Sequence, residues 1–63
     1  MIDRETCRLV RESAALAMRR VDLRIAIARE TDLDRRAVYG AELGAVVVAH
    51  SAWLDLLRAR LDG

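Results

Sequence analysis

The chain has 63 residues, a formal net charge of +1, one cysteine, one histidine and no proline. A domain this small leaves much apolar surface wet unless it is stapled or paired. With a single Cys and a single His, disulfide and metal staples within one copy are nearly excluded, so oligomerisation is the remaining supplement. Composition is 54% apolar with 3% aromatic, and with no proline and few glycines it argues against strands joined by tight turns. The fold class is all-α. All eleven basic residues are arginine, the habit of GC-rich bacterial genomes, and near-neutral charge gives no global pull toward nucleic acid or acidic lipid. Charges from Asp3 to Arg8 occupy the place where a secretory leader needs an apolar core, so the expected location is the cytoplasm.

Taken in order, Asp3 is the expected N-cap of a first helix, with Glu5 in its first turn complementing the helix dipole. On a helical wheel Ile2, Leu9, Leu16, Leu23 and Ile27 form one apolar stripe, and Cys7, Val10, Ala14, Ala17, Val21, Ile25 and Ala28 form a second. Thr6, Ser13, Arg20 and Arg24 run between them. Arg4, Arg8, Glu12, Arg19 and Arg29 lie toward the opposite, solvated side. Two stripes imply two neighbours, as for a helix in a four-helix bundle.

The break falls at Glu30-Thr31-Asp32-Leu33-Asp34. Thr31 or Asp32 can cap a new helix, with Leu33 packing back as a staple. The expected organisation is one helical-hairpin domain over 1–63: helix one from about 3 to 30, a turn at about 31–33, and helix two from about 33 to 61, ended by Asp62-Gly63. A short connection makes the helices antiparallel, bringing together positions whose numbers sum to about 64. Arg20 and Arg24 then reach Glu42 as a register ion pair, Ser13 meets Ser51, and Arg8 comes near Asp55. Such pairs are associated with specificity.

Helix two contains the run from Ala37 to Leu57, whose only charges are Glu42 and Asp55. Ala37, Gly40, Ala41, Gly44, Val48, Ser51 and Ala52 make a small face. Tyr39, Leu43, Val46, His50, Leu54, Leu57 and Leu61 make a bulky one. Each glycine costs a helix about 1 kcal/mol relative to alanine, so Gly40 and Gly44 predict a close backbone crossing. Helix two is expected to be the buried helix of a homodimeric bundle, with interface residues Gly40, Gly44, Ala37, Ala41, Val48, Leu43, Val47, Leu54 and Trp53. Tyr39 and Trp53 would flank the bulky face as anchors.

No nucleophile–base set, phosphate loop or metal-ligand spacing occurs, so the expectation is a non-enzymatic interaction module, regulatory or adaptor, without cofactor or metal. Cys7 reads as a small hydrophobe and His50 as a hydrogen-bonded structural or interface histidine. The segment VVVAHSAW resembles the sequence around the pigment-ligating histidine of bacterial light-harvesting polypeptides, which would imply a pigment or haem ligand. Ala52 stands closer to His50 than that pattern wants, and the charge-free run Leu43 to Leu54 falls short of the roughly 20 residues needed to span a bilayer.

Two nucleic-acid readings stand as alternatives. IARETDLDRRAVYGAEL, from Ile27 to Leu43, resembles a helix-turn-helix, with Ala28 small, Leu33 after the turn, and Val38 and Ala41 packing inward. That resemblance implies DNA contacts from Arg35, Arg36 and Tyr39. It departs at Asp32, where glycine is usual, and Asp32 and Asp34 put negative charge where phosphate would come. The hairpin architecture is also similar to the Rop-like RNA-binding bundles, without a shared motif. The expected partner remains a second copy or another protein, with nucleic acid and membrane disfavoured.

Overall fold

A computed structural model describes residues 3–62. Two helices follow in order, α1 (Arg4–Arg29) and α2 (Leu33–Asp62), and pack along their length as a hairpin. Asp3 is the N-cap of α1: its carboxylate accepts from the Thr6 backbone N–H at 2.7 Å. Asp32, one of the two expected caps, accepts the Arg35 N–H at 3.0 Å through its side chain, while its carbonyl accepts from the Arg36 N–H. The connection itself is pinned by the Glu30 carboxylate, which takes the Asp32 N–H at 3.0 Å. Carboxylates thus do the work that a glycine does at many helix ends. Leu33 does not pack back as a staple; it is 77% exposed, because the turn directs it away from α1. The expected roles of Ile2 in the first stripe and of Gly63 at the helix end lie outside the described residues.

At 1.5 Å per residue, helices of 26 and 30 residues span about 39 and 45 Å, which accounts for the 47 × 15 × 13 Å extents. The radius of gyration is 14.5 Å, against about 10.6 Å for a compact chain of this length. The hairpin is a rod.

Residues at the contact recur in alternating steps of three and four. On α1 they are Thr6, Leu9, Ser13, Leu16, Arg20, Leu23 and Ile27; on α2 they are Tyr39, Leu43, Val46, His50, Trp53 and Leu57, all buried or half-buried. This is the seam of a two-stranded coiled coil. The polar row Thr6, Ser13, Arg20, read from the wheel as lying between two stripes, is in fact inside the hairpin, interleaved with Leu9, Leu16 and Leu23. Seven-residue spacing forces this: a leucine every seven residues supplies only half a seam, and the residues three or four away supply the rest.

The expectation that α2 is the buried helix concerns a paired bundle, and a lone hairpin covers one side of it. Within one chain α2 buries only His50, whereas α1 buries Thr6, Leu9, Ser13 and Leu23. A helix apolar all round needs neighbours on every side, and the hairpin gives α2 one. Leu54 and Leu61, assigned to its bulky packed face, are 38% and 64% exposed.

Candidate functional site

The cross-helix polar contacts fix which flanks of the two helices lie together. Arg60 bonds Thr6 Oγ1 at 3.2 Å and Asp3 at 3.1 Å, which ties the end of α2 to the start of α1. Arg19 bonds Glu42. The Arg19–Glu42 contact corrects the expected register pair: Arg20 and Arg24 do not take Glu42. Arg19 stands on the flank that Glu42 faces, and Arg20 turns toward the seam. The Glu42 hydrogen bond and charge raise the Arg19 pKa further above its ordinary value. Arg8 pairs with Glu5 at 2.8 Å rather than approaching Asp55. Ser51 is exposed and Ser13 buried, so that expected pair is not made, and the Ser13 hydroxyl has no hydrogen-bond partner among the described residues.

Arg20 Nη1 lies 3.0 Å from His50 Nδ1. A guanidinium only donates, so Nδ1 accepts and the ring proton sits on Nε2. His50, 9% exposed, is tied to α1 by this contact, the hydrogen-bonded histidine expected from the sequence. The Arg20–His50 bond is the functional-looking contact that sequence reasoning missed. The signal was present in the shared seven-residue rows, which place both residues in one seam.

Besides a groove of about 250 Å³ toward the end of α2, lined by Leu54, Leu57, Arg58, Leu61 and Asp62, two grooves mark the two sides of the hairpin. One, of about 390 Å³, is lined by Glu5, Arg8, Leu9, Trp53, Leu56, Ala59 and Arg60, and it is bordered by charge. The other, of about 170 Å³, is lined by Ala17, Arg20, Val21, Arg24 and His50. Ala17 and Val21 belong to the second α1 stripe, while Val47, Leu54 and Leu61 stand three, four and eleven residues from His50, on its flank of α2. The second groove thus lies in a face that is apolar on both helices. Val10, Val21, Ile25, Val47, Leu54 and Leu61 are all among the exposed large side chains.

Gly40 and Gly44, with Ala37, Ala41 and Val48, are exposed, and a Cβ at either glycine would meet nothing within 4 Å. Among the described residues no backbone of the same chain crosses there. Of the other expected interface residues, Leu43 and Trp53 are half-buried in the seam, and Val47 and Leu54 are exposed. Cys7 is a free, exposed thiol. Arg35 and Arg36 are exposed and Tyr39 is half-buried, with Arg35 4.0 Å from Glu30. Ala28, Val38 and Ala41 are exposed too, so the inward packing expected of a helix-turn-helix is not formed; the two helices fold back along each other instead.

Among the described residues no group of three or more His, Cys, Asp or Glu side chains could hold a metal. Among the described residues one helix is long and apolar enough to cross a membrane by length and composition: α2, with a mean hydropathy of 1.3 over an 18-residue window that is 6% buried. Comparison with protein-family models, curated proteins and solved structures found no match to this chain.

Proposed function

We propose that the chain is a small non-enzymatic association module: a hairpin that pairs with a second copy into a four-helix bundle and works as a regulatory or adaptor element in the bacterial cytoplasm. The observation that carries this reading is the inverted ratio of apolar side chains. Among the described residues eleven large hydrophobic side chains are exposed and only Leu9 and Leu23 are buried. A compact monomer of this mass exposes about 4,100 Å², and the hairpin exposes 4972 Å². The excess, about 900 Å², is close to the roughly 800 Å² that each partner buries in a stable interface. A second copy has the right length to cover the whole rod.

The face carrying Val21 and Leu54 is the best candidate for that contact, since both helices contribute apolar residues to it. The opposite side carries the Arg19–Glu42 and Arg8–Glu5 pairs, which suit solvent. Val21→Glu and Leu54→Glu should leave the helicity of the lone hairpin intact, because the side chains are 56% and 38% exposed, and should halve the mass in solution. Light scattering that finds the mass unchanged in both variants rules out this face. If the protein instead needs detergent to stay in solution, α2 belongs in a bilayer and the bundle reading fails.

A further inference from the structure

We propose that the groove between Arg20, Arg24 and His50 is a binding site for a doubly charged oxyanion of the phosphate class. The polar groups available to this groove are all donors. His50 Nδ1, the only acceptor on those three side chains, is taken by Arg20, which leaves Nε2–H on the ring. Neither Nε2–H nor the Arg24 guanidinium has a hydrogen-bond partner among the described residues. Among the described residues neither Arg20 nor Arg24 has a carboxylate within ion-pair distance. The two cations stand four apart on α1, where like charges repel, and both line the same pocket of about 170 Å³ beside a histidine that is 9% exposed. Guanidinium forks present parallel N–H groups matched to two oxygens of one anion.

The symmetry of self-association selects the source of that anion, and this step rests on the proposed pairing. A two-fold interface joins the same patch from both copies. The groove is lined by Ala17, Arg20, Val21, Arg24 and His50, with no Asp or Glu, so a two-fold axis through it brings two more arginines and no carboxylate from the second copy's groove. The compensating charge comes from solution. A dianion is favoured over a monocarboxylate because the paired faces present four guanidinium groups on apolar ground, and its binding stabilises the pair by mass action.

The test is a titration of the whole chain with inorganic phosphate at fixed pH and constant ionic strength, chloride making up the balance, followed through the His50 ring resonances. Glycerol phosphate and acetate titrations run in parallel. Saturable phosphate binding is expected, weakened about tenfold in Arg24→Gln by loss of a charge-assisted hydrogen bond and unchanged in Arg11→Gln, an exposed arginine away from the groove. Glycerol phosphate binding as well as inorganic phosphate assigns the site to phosphate monoesters; binding of inorganic phosphate alone assigns it to the free ion. Acetate binding as well as phosphate overturns the dianion assignment. No saturable shift, or one that survives Arg24→Gln in a variant of unchanged helicity, overturns the site. Sedimentation in the same buffers separates the two readings: Arg24-dependent phosphate binding to a single-chain species keeps the site and refutes the pairing, whereas a phosphate-driven rise in dimer supports both.

Discussion

Replacing Ser13 by alanine should stabilise the hairpin. The hydroxyl sits in the seam at 6% exposure with no hydrogen-bond partner among the described residues. An unsatisfied buried polar group costs about 1–3 kcal/mol, and alanine adds a few tenths through higher helix propensity. Against this stand the dispersion contacts of one oxygen atom, about 0.1–0.2 kcal/mol for each neighbouring atom lost. The net expectation is a gain of about 1–2 kcal/mol, which in a chain of this size raises the melting temperature by roughly 4–8 °C per kcal/mol. Thermal unfolding followed by circular dichroism, at one protein concentration and one salt concentration, reads this directly. Ser13→Val is a useful companion, since it tests whether the seam has room for a larger apolar side chain. A melting temperature that is unchanged or lowered in Ser13→Ala would refute the reasoning. It would mean that the hydroxyl is bonded in solution, to a backbone carbonyl of the preceding turn or to a group supplied by the assembly.

Leu23→Ala acts in the other direction: at 2% exposure it should cost about 2–5 kcal/mol, enough to unfold most of a domain this small in urea well below the wild-type midpoint. Asp3→Ala should fray the start of α1, seen as faster amide exchange at Thr6 with little change at Leu23. Protonation should do the same. The Thr6 backbone and side-chain hydrogen bonds, followed by Arg60, hold the Asp3 carboxyl below its ordinary value, so its contribution is present above the unfolded carboxyl pKa and is lost as the pH falls through the folded one. Protection at Thr6 that is flat down to pH 2 would contradict that assignment. Gly44→Ala, at a site with nothing within 4 Å, should raise the helicity of the isolated chain, the change being worth about 1 kcal/mol. Gly44→Leu should lower the mass in solution if another copy crosses there, and leave it untouched if the crossing runs over Val21 and Leu54.

The hairpin was legible in the sequence because its signals are local: Asp3 and Asp32 are caps whose chemistry acts within three residues, and the apolar periodicity of α1 persists across more than seven turns. The Leu9–Leu16–Leu23 row was legible as packed for the same reason. Interhelical detail was less accessible. One residue of register rotates a contact by 100° around the helix, which is why Glu42 meets Arg19 rather than Arg20 or Arg24. The placement of Thr6, Ser13 and Arg20 in the seam escaped a reading that sorted residues by polarity, since their inward position depends on spacing and on partners from α2 such as His50 and Arg60. Apolar composition states what α2 requires, while a single α1 covers one side of it, with His50 the residue it buries. Gly40 and Gly44 illustrate the same limit: a small face identifies where a backbone could approach, and nothing among the described residues lies within 4 Å of a Cβ built there.

The measurement closest to the central claim is the mass of the protein in solution over a wide dilution series, by sedimentation, at low and high chloride and in phosphate. Pairing predicts a species of twice the 7.1 kDa chain mass, held together by apolar contact and so indifferent to chloride concentration, and more resistant to dilution when phosphate is present. A single 7.1 kDa species that stays helical and soluble at every concentration would contradict the account, because eleven exposed large hydrophobic side chains would then have no neighbour to cover them.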